Sequence, residues 1–207
     1  MTLFHLAAVP LFLFTLSGIY SSKDTDFKKL VVLFLKGAGV FIPSFLIYLL
    51  CKSAFPISYR SFPLYFSGFF LDHALYFVAV LLGFLASYGL SNLQRIDFLE
   101  ISFFYAGFYS LASVQAVLLN WGAYDIYLLF LLPLLRIGLL LLSSLFFVNI
   151  VYAYGWSRAG YLSGFATLPI ATACVTYLHE THRSALSIFV TIAFVSVSFA
   201  IRYIVKE

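Results

Sequence analysis

Residues 126–154, IYLLFLLPLLRIGLLLLSSLFFVNIVYAY, hold one charged side chain, Arg136, in 29 positions. An α-helix rises about 1.5 Å per residue, so about 20 apolar residues cross the roughly 30 Å hydrocarbon core of a bilayer. A soluble helix buries one stripe and keeps the rest polar, and this stretch has no polar face to offer. It predicts a membrane span, longer than needed and therefore tilted or begun by a short interfacial piece.

The same rule, carried outward, finds six further candidate spans: Thr2 to Tyr20, Leu30 to Leu50, Pro63 to Leu90, Phe98 to Leu119, Tyr161 to Leu178 and Ala185 to Val205. The expected fold class is an all-α polytopic transmembrane helical bundle of about seven helices, or six if the first segment does not span. Residues 1–207 are expected to form a single transmembrane domain with no soluble domain. Composition agrees: 63% of residues are hydrophobic and 10% charged, with a mean hydropathy of +1.04. Soluble domains carry roughly 25% charged residues. Abundant Phe suits acyl chains, and Tyr suits the headgroup layer, where a ring is buried while its hydroxyl stays wet. Pro10, Pro43, Pro133 and Pro169 lie inside apolar runs, where each is expected to mark a kink.

Sidedness follows from the loops. Lys23, Lys28, Lys29, Arg95, Arg158, Arg202 and Lys206 fall on one side, against Lys52, Arg60 and Arg183 on the other. Seven against three puts the first group in the cytoplasm, the N-terminus outside and the C-terminus inside, in a plasma or bacterial inner membrane. The first segment has no basic residues ahead of its apolar run, the wrong order for a cleaved signal, and is kept as a helix. The basic residues never run longer than two, which argues against nucleic acid as a partner. The connections carry no G-x-x-x-x-G-K-S/T and no G-x-G-x-x-G, so no nucleotide-binding motif is present. A solute moved by this chain would draw on an ion gradient, on its own gradient, or on a partner subunit. The lipid bilayer and other membrane subunits are the expected partners.

Small residues recur at intervals of four: Ala79, Gly83 and Ser87; Ser102, Ala106 and Ser110; Ala159, Ser163, Thr167 and Ala171. Such spacing lets another backbone approach closely, and it nominates the helices at 63–90, 98–119 and 161–178 as the centre of the bundle. Asp72 and Arg136 lie about nine and ten residues into their stretches, at comparable depth. A lone charge in hydrocarbon costs about 2.5–3.5 kcal/mol on insertion scales, so an intramembrane pair between them is expected. Lys36 is near enough to the cytoplasmic face to snorkel. Gln115 and Asn149 can satisfy kinked backbone or line a cavity. Tyr154 to Arg158 reads as a cytoplasmic turn with aromatic anchors.

YLHETHRS, residues 177–184, crowds two histidines and a carboxylate. His179, Glu180 and His182, with His73 in the outer half of its span, form a candidate metal or proton site, because imidazole binds zinc, copper or iron and titrates near neutral pH. The metalloprotease pattern H-E-x-x-H fails, since the two histidines are three apart rather than four. The simpler alternative is polar tips where a helix ends. Cys51 and Cys174 carry no metal-binding spacing. No cofactor is expected, a metal ion at the outer histidines being the one exception.

The run from Arg95 through Pro169, with its serine- and tyrosine-bearing helix, its long apolar helix and the Trp156-Ser157-Arg158-Ala159 turn, resembles the Yip-type multi-spanning proteins of membrane trafficking and their bacterial relatives. The resemblance covers about a third of the chain and implies a membrane-organising role. The residues by themselves favour a non-enzymatic protein that conducts a small solute or serves as the membrane subunit of an assembly. A membrane-embedded metal-dependent enzyme is the other alternative.

Overall fold

The computed structural model describes residues 26–54, 61–89, 96–119 and 130–204, with positions 8, 10–12 and 15. The expected span Thr2 to Tyr20 lies almost wholly outside the described residues. Six helices follow one another among them: α1 Phe27–Ala54, α2 Phe62–Tyr88, α3 Phe98–Leu119, α4 Leu132–Tyr152, α5 Gly155–Glu180 and α6 Ser184–Ile204. No strand occurs among the described residues. Five of these helices, α1, α2, α4, α5 and α6, are long and apolar enough to cross a membrane. Their outward faces carry Leu35, Ile42, Leu50, Phe189 and other large apolar side chains, more than half exposed. Water would not tolerate so broad an apolar surface. The protein is an all-α helical bundle and a multi-pass membrane protein.

Helix α3 is the one the others enclose. Ile101, Ser102, Phe104, Tyr105, Ala106 and Phe108 have no exposed surface, and at 3.6 residues per turn they cover more than half of the helix's circumference. Close approach by α1 makes this enclosure work. A Cβ placed on Gly37 would fall on the carbonyl oxygen of Phe104, and one on Gly107 would fall on the carbonyl oxygen of Phe34. Each helix therefore offers a glycine to the other's backbone. Helices α1 and α3 run parallel at this crossing, with α2 antiparallel beside them.

Chain direction fixes two ends of the bundle. At one end Lys29 of α1 meets Glu100 of α3, and the Tyr152 hydroxyl of α4 donates to the Ile96 carbonyl at 3.0 Å. At the other end Lys52 of α1 meets Asp72 of α2, and α5 turns into α6 at residues 181–183.

Two expectations need correction, and a third falls partly outside the described residues: of the span expected from Ile126, residues 126–129 are not described, and Pro133 occupies the first turn of α4 directly after a π-turn at 130–131. Pro43 and Pro169, in contrast, do lie inside helices. The expected turn Tyr154 to Arg158 is shorter than that, because only Ala153 and Tyr154 break the chain and α5 already begins at Gly155. Gly155 takes a φ of +59°, which a side chain would resist. Finally, Ala159, Ser163 and Thr167 do not pack against another helix here but are exposed. The buried face of α5 is set by Phe165, Leu168, Thr172, Ala173, Val175 and Thr176, and the hydroxyls of Ser163 and Thr167 bond back to their own helix at the Gly160 and Gly164 carbonyls. The stripe Ala79, Gly83, Ser87 does face a neighbour: Gly83 lies against the Val40 side chain, and Lys36 Nζ donates to the Ser87 carbonyl at 3.3 Å.

Candidate functional site

A cavity of about 340 Å³ opens between α1, α2, α3, α4 and α5 in the half of the bundle nearer Lys52 and Glu180. That size suits a small molecule. Its walls combine apolar side chains, among them Phe69, Leu132, Leu135 and Leu139, with an unusual density of charge for a membrane bundle: Lys52, Asp72, Arg136 and Glu180.

The charges are held individually. Lys52 Nζ, in the last turn of α1, donates to Asp72 Oδ2 at 3.0 Å and to the Tyr48 hydroxyl at 2.7 Å. The Tyr48 ring in turn stacks on Tyr76 with centroids 5.0 Å apart, and Tyr76 donates to Gln115 Oε1 at 2.8 Å. Thus α1, α2 and α3 are tied through one polar chain. Arg136 donates from Nη1 to Ser113 Oγ at 2.5 Å, linking α4 to α3. His73 Nε2 lies 2.8 Å from Thr176 Oγ1, linking α2 to α5.

The expected intramembrane pair is therefore corrected. Asp72 has a basic partner, but that partner is Lys52, while Arg136 binds Ser113. The physical reason is reach. Lys52 in the last turn of α1 reaches Asp72 across the α1–α2 contact, while Ser113 of α3 takes the Arg136 guanidinium on the other side of the cavity. Lys52 falls in helix rather than loop because α1 continues past Leu50 to Ala54.

The histidine cluster also separates. His73 and Glu180 line the cavity, and His182 is exposed in the turn after α5. His182 donates its backbone N–H to the His179 carbonyl at 3.0 Å, and Arg183 donates to the Leu178 carbonyl at 2.9 Å. These two bonds, with His182 at a φ of +60°, are the Schellman ending of a helix. YLHETHRS is thus a helix stop first. Among the described residues no three of His, Cys, Asp and Glu come together as a metal-binding group, so the proposed ligand set His73, His179, Glu180 and His182 is not assembled.

Sequence inspection missed Lys52, Tyr48, Tyr76, Tyr109, Thr172 and Thr176 as cavity residues. The Tyr48 and Lys52 spacing of four was the available signal, since i and i+4 share a helix face. At the opposite end a second polar cluster forms. Glu100 pairs with Lys29 and accepts from the Tyr88 hydroxyl, and Lys29 Nζ lies 5.4 Å from the Tyr88 ring centroid. Between the two clusters the core is aromatic, with Phe84 packed edge-to-face on Phe104 and Phe147 at 5.2 and 5.6 Å. Comparison with protein-family models, with curated proteins and with solved structures found no match.

Proposed function

We propose that the protein binds a small polar solute in this cavity and passes it across the membrane. The observation that carries this reading is the cavity itself, a charged and hydroxyl-lined space inside a bundle whose outer faces are apolar. Charges inside membrane proteins are expensive, and they face bundle interiors or water-filled spaces where solutes and ions move. A bundle built only as a scaffold gains nothing from placing Lys52, Asp72, His73, Arg136 and Glu180 around one void. The aromatic layer of Phe84, Phe104 and Phe147 separates this space from the Lys29–Glu100 cluster, as expected of a carrier resting open toward one side. With the orientation given by loop charge, that side is the exterior.

Two measurements test the reading. Ala116→Cys, made in a chain with Cys51 and Cys174 replaced by serine, should react with a hydrophilic thiol reagent, and bound solute should slow the reaction. Purified protein should also be stabilised against heat by at least one member of a panel of small amino acids, carboxylates and amines, with the stabilisation lost in Asp72→Asn. An unreactive Ala116→Cys together with a silent panel would leave a dry, structural polar cluster instead.

A further inference from the structure

Helix α1 carries four lysines, and three of them have a plain account. Lys28 is exposed in the first turn, Lys29 meets Glu100 and lies over the Tyr88 ring, and Lys52 meets Asp72. Lys36 is different. It stands nine residues into α1, about 14 Å from the helix start, on the exposed surface of a helix fit to span a membrane. Among the described residues no carboxylate pairs with it, and its hydrogen bond goes to the Ser87 carbonyl, at 3.3 Å, in the last turn of α2. An ammonium has three N–H donors, and a charge on the outside of a span is expensive unless an anion or water meets it.

The surface beside this ammonium has the shape for an acyl chain. Lys36 meets Ser87, and one turn further along α1 Val40 lies against Gly83, so the two helices touch along one line. The residues one position earlier turn about 100° away from that line. They are Gly39 on α1 with Leu82 and Ala86 on α2, and all three are exposed. Gly39 has nothing within 4 Å of where a Cβ would stand, which leaves a shallow apolar trough between the helices. We propose that this α1–α2 groove binds an anionic phospholipid, with its phosphate on Lys36 and an acyl chain along Gly39, Leu82 and Ala86. The bond to Ser87 holds the ammonium at the level where α2 ends, the depth of lipid phosphates. Charge selects the occupant: a zwitterionic headgroup brings its own cation beside Lys36, whereas an anionic one brings none. With the orientation expected from loop charge, the site faces the cytoplasmic leaflet, where anionic lipids concentrate. It lies at the end of the bundle away from the cavity and does not depend on the solute reading.

Thermal unfolding of the purified chain in neutral detergent, titrated with phosphatidylglycerol, reads the site. The anionic lipid should raise the melting temperature saturably, phosphatidylcholine much less, and inorganic phosphate at equal concentration not at all. Lys36→Gln should weaken the apparent lipid affinity about fivefold, the weight of one basic residue against an anionic headgroup, and Lys36→Arg should retain it. Lys28→Gln removes an equal charge from the same helix and should leave the titration nearly unchanged. Native mass spectrometry of the wild-type chain needs no variant to fold: from an equimolar mixture of the two lipids it should keep one phosphatidylglycerol. Equal stabilisation by both lipids, or by free phosphate, overturns the proposal, as does a wild-type chain that keeps no anionic lipid. Equal losses in Lys36→Gln and Lys28→Gln overturn it too, since they mean attraction of charge without a site. So does a fall in melting temperature in Lys36→Gln that is the same with and without lipid, the mark of a lysine that only caps α2.

Discussion

His182 holds its backbone in the left-handed region at the stop of α5, a position where glycine or asparagine is usual. Left-handed geometry costs an L-residue roughly 1–2 kcal/mol, partly offset by the roughly 0.5–1 kcal/mol that glycine loses in ordering its backbone. His182→Gly should therefore stabilise the protein by up to about 1 kcal/mol, and His182→Val should destabilise it, both read by thermal unfolding in detergent. A lower melting temperature for the glycine variant would mean that the imidazole itself does something there. The same scale decides which base serves Asp72. A double-mutant cycle of Asp72→Asn with Lys52→Met should show a coupling of about 1 kcal/mol, modest because both side chains keep partial contact with solvent. The cycle with Arg136→Gln should show almost none, and equal couplings would restore the partnership that simple depth counting suggested.

At the scale of elements, glycine decides how α1 reaches α3. Gly37 and Gly107 each face the other helix's carbonyl, while Gly39, two residues from Gly37, has nothing within 4 Å of where a Cβ would be. Backbone cannot step aside as a side chain can, so Gly37→Ala and Gly107→Ala should each cost about 1–3 kcal/mol through overpacking. Gly39→Ala should be neutral or stabilising by up to about 1 kcal/mol, from helix propensity alone. Equal losses at all three positions in a detergent melt would show propensity, not packing, at work. The helices themselves were legible because a bilayer demands about 20 apolar residues for each crossing. Their neighbours were harder to read. Small residues at intervals of four give a face and not the direction it points: Gly83 lies against Val40, whereas Ala159, Ser163 and Thr167 are exposed. Part of the cavity followed from cost: Asp72 and Arg136, charges inside apolar stretches, both line it. Lys52 did not, because hydropathy ends α1 at Leu50 and so assigns it to a loop.

For the whole molecule, the alternation of helices ties every connection to a side. The break at Ala153 and Tyr154 lies at the Lys29–Glu100 end, and the turn at residues 181–183 lies at the cavity end. Membrane insertion retains basic loops in the cytoplasm, and the loop tally of seven Lys and Arg against three predicts that the 153–154 break lies there. On that expectation the cavity opens outward. Cysteine accessibility tests this arrangement as a unit. In the chain with Cys51 and Cys174 replaced, Tyr154→Cys and Glu180→Cys place one thiol at each end of the bundle, on residues that are both exposed. An impermeant maleimide applied to intact cells should label Glu180→Cys, and should label Tyr154→Cys only after permeabilisation. The reverse pattern would invert the protein, turning the cavity toward the cytoplasm and the proposed carrier from uptake to export, with the helix packing unchanged. Labelling of both thiols from outside would be more damaging, because two positions joined by the single helix α5 cannot share a side if that helix crosses the membrane.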